Sequence, residues 1–290
     1  MQAHPLYSRI AIIGTGRVAH AMALAMHGHS AAPLLIWGRD NGKSHALASA
    51  IPGAIAAPDL ATIASTCGLI LIAVSDDAIP HIVDRIANAM PEASAAFVTH
   101  MSGRSGAASL SPLASRGALT AAVHPAMTFT GDPSLEVARM KGARFVITAG
   151  TPPAILAARQ LVDRLGGVAE QVGEDQRALY HAALCHAANH LVTLIAGSRD
   201  ALAMAGIADP SALLAPLVRA ALDNGLDRGI GGLSGPLLRG DVDSIARHLT
   251  ALSADQPRLL PAYRAMAIAT LDALEDHGAA AMPPLRTLLD

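Results

Sequence analysis

Two histidines stand at the ends of two consecutive apolar runs, His100 after Ala95–Thr99 and His124 after Leu119–Val123. An imidazole gives and takes a proton near neutral pH. A pair on one side of a sheet is therefore suited to general acid–base work. A second polar group lies in Tyr180-His181-Ala182-Ala183-Leu184-Cys185-His186-Ala187-Ala188-Asn189-His190. At about 100° per residue, His181, Cys185 and Asn189 share one helical stripe. Polar side chains in so Ala-rich a helix need a cleft, a partner or a buried hydrogen-bond network to face. His186 and His190 have a usable metal-ligand spacing. Neither an H-E-x-x-H pattern nor a cysteine cluster accompanies them, and no metal is assigned.

The elements that must position these groups begin at the N-terminus. Ile10-Ala11-Ile12-Ile13 reads as a buried strand, and helix-type residues open at Val18. Between them runs Gly14-Thr15-Gly16-Arg17-Val18-Ala19, a G-x-G-x-x-A turn. The first glycine permits the tight turn, the second lets backbone approach a pyrophosphate, and Ala19 lets the helix pack close to the strand. The new helix offers free N–H groups and the positive end of its dipole. The expectation is a dinucleotide site at Gly14, Thr15, Gly16, Arg17 and Val18. Leu34–Trp37 reads as the second strand, followed by Gly38, Arg39 and Asp40. Where NAD binders place an acid for the ribose hydroxyl, this chain has Arg39, whose guanidinium suits a 2′-phosphate. NADP is expected over NAD. Asp40 either approaches the ribose or caps the next helix.

Leu69–Val74 is a continuous apolar run of the parallel-strand kind. Loops at the carboxyl ends of such strands face the ligand crevice. Val74, Ser75, Ser102 and His100 are thereby candidates to line it, and Asp76 and Asp77 either join them or cap the helix that follows. Further strands are expected at Ala54–Ala57, Phe145–Thr148 and Gly167–Val172, with a helix from Pro153 to Leu165. After Gly173 no strand is evident. Helices are expected at 176–204, 211–224, 242–252 and 257–277, with the glycine-rich stretch Gly229–Pro236 between them. The fold class is α/β, a Rossmann-type doubly wound sheet plus a second all-α domain, divided as 1–173 and 174–290. Residues 1–8 read as a short tail.

Composition supports this. The chain has 290 residues, of which 52% are hydrophobic and 15% charged, with net charge -2. A core of that size is built here from Ala, Leu, Ile, Val and Met, because aromatics are only 2%. There is no basic footprint for nucleic acid. Two cysteines, Cys67 and Cys185, make no disulfide framework and fit a reducing compartment. No apolar run is long enough to span a bilayer. The expected setting is cytoplasmic, with a small-molecule substrate and no membrane or nucleic-acid partner.

Several motifs together resemble a known family. They are the G-x-G-x-x-A, the H-x-S-G at His100–Gly103, the HPxxTF at His124–Phe129, the YHAA…N at Tyr180–Asn189, and the SGPxxRGD at Ser234–Asp241. The chain resembles Rossmann-like proteins carrying the helical domain of unknown function 2520. That family is similar to pyrroline-5-carboxylate reductase, the β-hydroxyacid dehydrogenases and ketopantoate reductase. The resemblance implies an NADP-dependent oxidoreductase acting on a small carboxylate-bearing oxo acid of ketopantoate type, and a homodimer formed through the helical domain. Alternatives are an imine reductase of pyrroline-5-carboxylate type, a non-catalytic NADP-binding protein, and a metal-dependent hydrolase. The β-hydroxyacid dehydrogenases have Lys four residues before the Asn that Asn189 matches; here that position is Cys185. The proton donor must therefore come from elsewhere. His124 is expected as the acid, with His181 second. Asn189 and Ser102 would orient the substrate, and Arg239 would clamp a carboxylate with Asp241 fixing its direction. The other reading makes Arg239–Asp241 a structural turn.

Overall fold

A computed structural model describes residues 7–290, which form two compact units dividing between Cys185 and His186. The first unit runs β1 (Ile10–Ile13), α1 (Arg17–Met26), β2 (Leu34–Trp37), α2 (Asn41–Ala50), β3 (Ala54–Ala56), α3 (Leu60–Thr66) and β4 (Leu69–Ile72). It continues with α4 (Ile79–Ala89), β5 (Phe97–His100), α5 (Ser111–Ala114), β6 (Leu119–Pro125), α6 (Pro133–Met140), β7 (Arg144–Ala149), α7 (Pro152–Arg164) and β8 (Val168–Gln171). The strands form one sheet in the order β3-β2-β1-β4-β5-β6-β7-β8. Neighbours are parallel except β6 and β7, which are antiparallel.

β1, β2, β4 and β5 are buried along their whole length, as strands covered on both faces must be. Alternation then sorts their side chains between two cores. Ile10 and Ile12 pack with Met22 and Met26 of α1 on one face. Ala11 and Ile13 pack with Ile82, Val83 and Ile86 of α4 on the other. Asp40, Asp59, Asp132 and Thr151 cap α2, α3, α6 and α7, each side chain accepting a backbone N–H of the first turn.

The strand ends differ from the sequence reading where the chemistry lies. β6 continues two residues past Val123, because β7 pairs with it as far as His124↔Val146 and Pro125↔Phe145. His124 is thus held in a strand and not in the loop after it. His100 is the last residue of β5. β4 stops at Ile72, so Ala73–Ser75 already belong to the crevice loop. Of the expected tail, residues 1–6 lie outside the described residues. Tyr7 forms an isolated bridge with Ser30 and packs against the core.

In the second unit every described element is helical: the long α8 (Arg177–Met204), which begins in the first unit, then α9 (Pro210–Arg228), α10 (Val242–Asp255), α11 (Leu260–Asp276) and α12 (Pro283–Leu289). α12 lies beyond the last helix expected from the sequence, and Pro283-Pro284 serve as its start. Asp209 and Asp241 cap α9 and α10. The core here is small: Ile245, Leu249, Ala267, Leu271, Leu285 and Leu289. Among the described residues no helix is long and apolar enough to cross a membrane.

The first turn tolerates no side chain. Gly14 has φ +128°, and a Cβ there would lie 2.2 Å from the Ala73 carbonyl oxygen. Gly14→Ala is expected to destabilise the first unit by roughly 2 kcal/mol or more. A melting temperature equal to that of the unaltered chain would show that the turn can relax.

Candidate active site

The carboxyl ends of β1, β2, β4 and β5 leave a groove in two halves. One half is lined by Gly14–Gly16, Trp37, Gly38, Arg39, Ser75 and His81. The other is lined by Gly16, Arg17, Val18, Ser75, Asp76, Met101, Ser102, Gly103, Phe129 and His181. Gly16, Ala73, Val74 and Ser75 border both, so the halves meet at the first turn. They enclose about 560 and about 430 Å³, within the range of small-molecule sites.

The turn fits a dinucleotide. Gly16 is exposed, and a Cβ on it would touch nothing within 4 Å, so its backbone stands bare to the groove. No side chain caps α1, and no acid lies in its first turn. Its terminal N–H groups are thus open to an anion. Arg17 leans across the groove toward the Phe129 carbonyl. Arg39 is exposed and has no acid paired with it among the described residues. Asp40, by contrast, turns away to accept the Lys43 N–H at 3.0 Å.

At the far end two imidazoles meet at Gly103, with a phenol behind one of them. The position of a Cβ on that glycine is 2.9 Å from His124 Nε2 and 3.0 Å from His181 Nε2. His124 Nδ1 is 2.7 Å from the Tyr180 hydroxyl. The imidazoles of His124 and His181 sit edge to face with centroids 6.2 Å apart. Cys185 Sγ lies 3.7 Å from His181 Nε2.

The domain of unknown function DUF2520 matches residues 143–270, and a Rossmann-like domain matches residues 2–125. The chain thus carries a match to a Rossmann-like domain followed by a match to DUF2520. No curated protein matches it by sequence. Among solved structures it is similar to protein BF3122 of Bacteroides fragilis, at 20% identity, TM-score 0.73, over 90% of this chain and 97% of the other. It is similar to an imine reductase from Myxococcus stipitatus in complex with NADP+, at 17% identity and TM-score 0.69, over 97% of this chain and 100% of the other. A reductive aminase from Aspergillus terreus in complex with NADPH and ethyl-5-oxohexanoate follows at 19% identity and TM-score 0.60, over 97% and 92%. At these identities the likeness is one of fold.

The other imidazole that follows an apolar run, His100, is not among the residues that line the groove. It is fully buried. Its Nδ1 accepts the Ser102 N–H, and Nε2 accordingly donates to the Gly106 carbonyl at 3.0 Å. It shapes the loop after β5 from beneath. Ser102 does line the groove, with its hydroxyl oxygen accepting the Ser105 N–H. Asp76 and Asp77 cap nothing; Arg104 holds both, at 3.1 and 2.6 Å. In the second unit Asn189 and Arg239 are exposed, and neither side chain has a hydrogen-bond or ion-pair partner among the described residues. Asp241 does not orient Arg239, because its two oxygens accept the N–H and hydroxyl of Ser244 as the α10 cap. Among the described residues no three His, Cys, Asp or Glu side chains are placed to share a metal ion.

Arg177 is the residue that sequence reasoning missed. It is 1% exposed. Its guanidinium donates to the Ser105 carbonyl at 2.6 Å, the Ser102 carbonyl at 2.6 Å and Thr148 Oγ1 at 2.9 Å. A lone arginine opening a helix gives no sequence signal of burial. Burial lowers His124 to about 4, and the neighbouring Arg177 and then His181 lower it further against the opposing pull of Asp76. His100 is lowered to about 4 chiefly by burial as well. His124 is thereby held in its neutral form near pH 7.

The two depressed imidazoles fix a sign for acid sensitivity. Both titrate near 4 in the folded chain and near 6.5 when unfolded. Between those values the unfolded chain binds more protons, so stability is complete above about 6.5 and is lost as pH falls toward 4. Denaturant melts at stepped pH are expected to show that loss, and His124→Asn to reduce its slope by about one proton. Equal slopes for the two proteins would mean that His124 titrates normally.

Proposed function

We propose that this protein is an NADPH-dependent reductase of a C=O or C=N bond in a small molecule. The carrying observation is the groove whose two halves meet at the bare backbone of Gly16, one of them running on to Gly103, which two imidazole nitrogens face. Two solved structures of similar fold, the imine reductase and the reductive aminase, are complexes with NADP+ and NADPH, which supports the cofactor. Thr15, Arg17 and Val18 would line the pyrophosphate, Arg39 would hold a 2′-phosphate, and Val74 and Ser75 would lie along the middle of the groove. The bound nicotinamide supplies the hydride. The chain's own part is to hold the reacting bond past Gly103, to exclude water with Met101 and Phe129, and to deliver a proton from the imidazole side. The substrate proposed is a carboxylate-bearing oxo acid of ketopantoate type, with the cyclic imine of pyrroline-5-carboxylate type as second reading; the imine reductase fold likeness favours keeping both.

The test is NADPH oxidation against ketopantoate, pyrroline-5-carboxylate and short 2-oxo acids. Turnover with at least one is expected. Arg39→Ser should raise KM for NADPH about 10- to 100-fold, the worth of a charge-assisted fork, and leave KM for NADH unchanged. An unaltered NADPH-to-NADH preference in that variant would remove Arg39 from the cofactor site.

We also propose a homodimer formed through the helical unit. α8 has 28 residues, of which only Arg177 is buried. Val192, Leu194, Leu217 and Leu226 stand 69%, 47%, 62% and 77% exposed. Apolar surface on that scale marks an association face. Light scattering should give twice the chain mass, and Val192→Glu with Leu226→Glu should give the single-chain mass. A monomer before substitution would exclude the dimer.

A further inference from the structure

The neutral state of His124 leaves the reaction without an evident source for its proton, and the structure contains one. Tyr180 Oη lies 2.7 Å from His124 Nδ1, while Nε2 of the same ring faces Gly103 from the other side. We propose that Tyr180 is the proton source of the site and that His124 passes the proton on without becoming charged. This rests on the reductase reading above. A phenol is a stronger acid than a neutral imidazole, so the short contact is read as O–H donating to Nδ1. That leaves the hydrogen of His124 on Nε2, on the side where Gly103 has no side chain to block it.

The step balances. Hydride adds to the substrate carbon, and the electron pair of the C=O or C=N bond moves to the heteroatom. The heteroatom takes the proton from Nε2, the Nε2–H bond breaks, and Nδ1 takes the Tyr180 proton. His124 ends as the other neutral tautomer. The negative charge ends on the phenolate oxygen, and water returns the proton to the half-buried ring.

The charged surroundings favour this route over an imidazolium. The guanidinium carbon of Arg177 lies 5.9 Å from the centre of the Tyr180 ring. A positive charge there opposes a second cation on His124 and stabilises a phenolate on Tyr180. Burial raises the Tyr180 phenol, and Arg177 lowers it in part. The groups acting on His124 are Arg177, His181, Asp76 and His100; of these only Asp76 is an acid, and it is held by Arg104.

The test has one arm without turnover and one with it. In the free protein, ¹⁵N spectra of labelled histidine are expected to show His124 protonated at Nε2 and bare at Nδ1 at pH 7. Tyr180→Phe should shift that ring toward a mixture of tautomers. A His124 protonated at Nδ1 in the unaltered protein reverses the hydrogen bond and overturns the proposal. In the turnover arm, Tyr180→Phe should lower kcat about 100-fold, leave KM for NADPH unchanged, and reduce the solvent isotope effect on kcat. Unchanged kcat and isotope effect would also overturn it. If the unaltered protein oxidises NADPH with no substrate, the reductase reading fails, and the spectra still decide the direction of the hydrogen bond.

Discussion

A guanidinium with almost no access to water holds the imidazole end of the groove together. Burying a cation costs several kcal/mol, and only close, well-directed hydrogen bonds offset it. Arg177 has three, fanned by its planar fork onto two carbonyls of the loop after β5 and a hydroxyl on β7. Thr148 passes the tie on to the Val172 carbonyl at 2.8 Å. The start of α8, the loop carrying Ser102 and Gly103, and the β7 strand are thereby one construction. Lysine, with a single point charge, could not meet three acceptors in those directions. The same charge adds to the effect of burial, which is the larger one, in keeping His100 and His124 from becoming cations.

Close approach is the second constraint. Gly38 stands where a Cβ would be 2.8 Å from Thr15 Cγ2, and Gly103 where one would be 2.5 Å from the His181 ring. The first allows β2 to lie against the nucleotide turn. The second lets rings from β6 and α8 come within reach of one another. Glu174 completes the packing: its carboxylate accepts the Ala108 N–H, and it lies where a Cβ on Gly106 would intrude. Two charged residues three apart, Glu174 and Arg177, therefore pin both ends of the loop that β5 feeds.

The legible parts of the chain were those with a local period or a local rule. Continuous apolar runs gave β1, β2 and β4, and the Asp-Pro pair at 209–210 gave the start of α9. The G-x-G-x-x-A placed the tight turn between β1 and α1 because each of its positions has a steric reason visible in the residue itself. What a residue meets across the sheet was not legible. His100 and His124 look alike in sequence, each after an apolar run, yet one is sealed under a loop and the other faces Gly103. The difference arises from β7, which pairs antiparallel and extends β6 past His124. Arg177 was invisible for the same reason, since its acceptors lie 29 to 75 residues away.

Charge along the groove shows how these pieces agree. An anionic ligand would be repelled by Asp76 and Asp77, both of which border it. Arg104 engages both carboxylates from the loop after β5. With side chains so exposed, these ion pairs contribute little to stability. Their effect is on the sign of the field: two acids and one base leave a single negative charge, facing the open N-terminus of α1, Arg17 and Arg39. The basic groups without an acid partner among the described residues, Arg17, Arg39 and the open N-terminus of α1, border the first turn. On the reductase reading, an anionic cofactor would lie with its phosphates at Gly16 and its uncharged end toward Gly103, where the proton relayed through His124 leaves a phenolate that Arg177 stabilises.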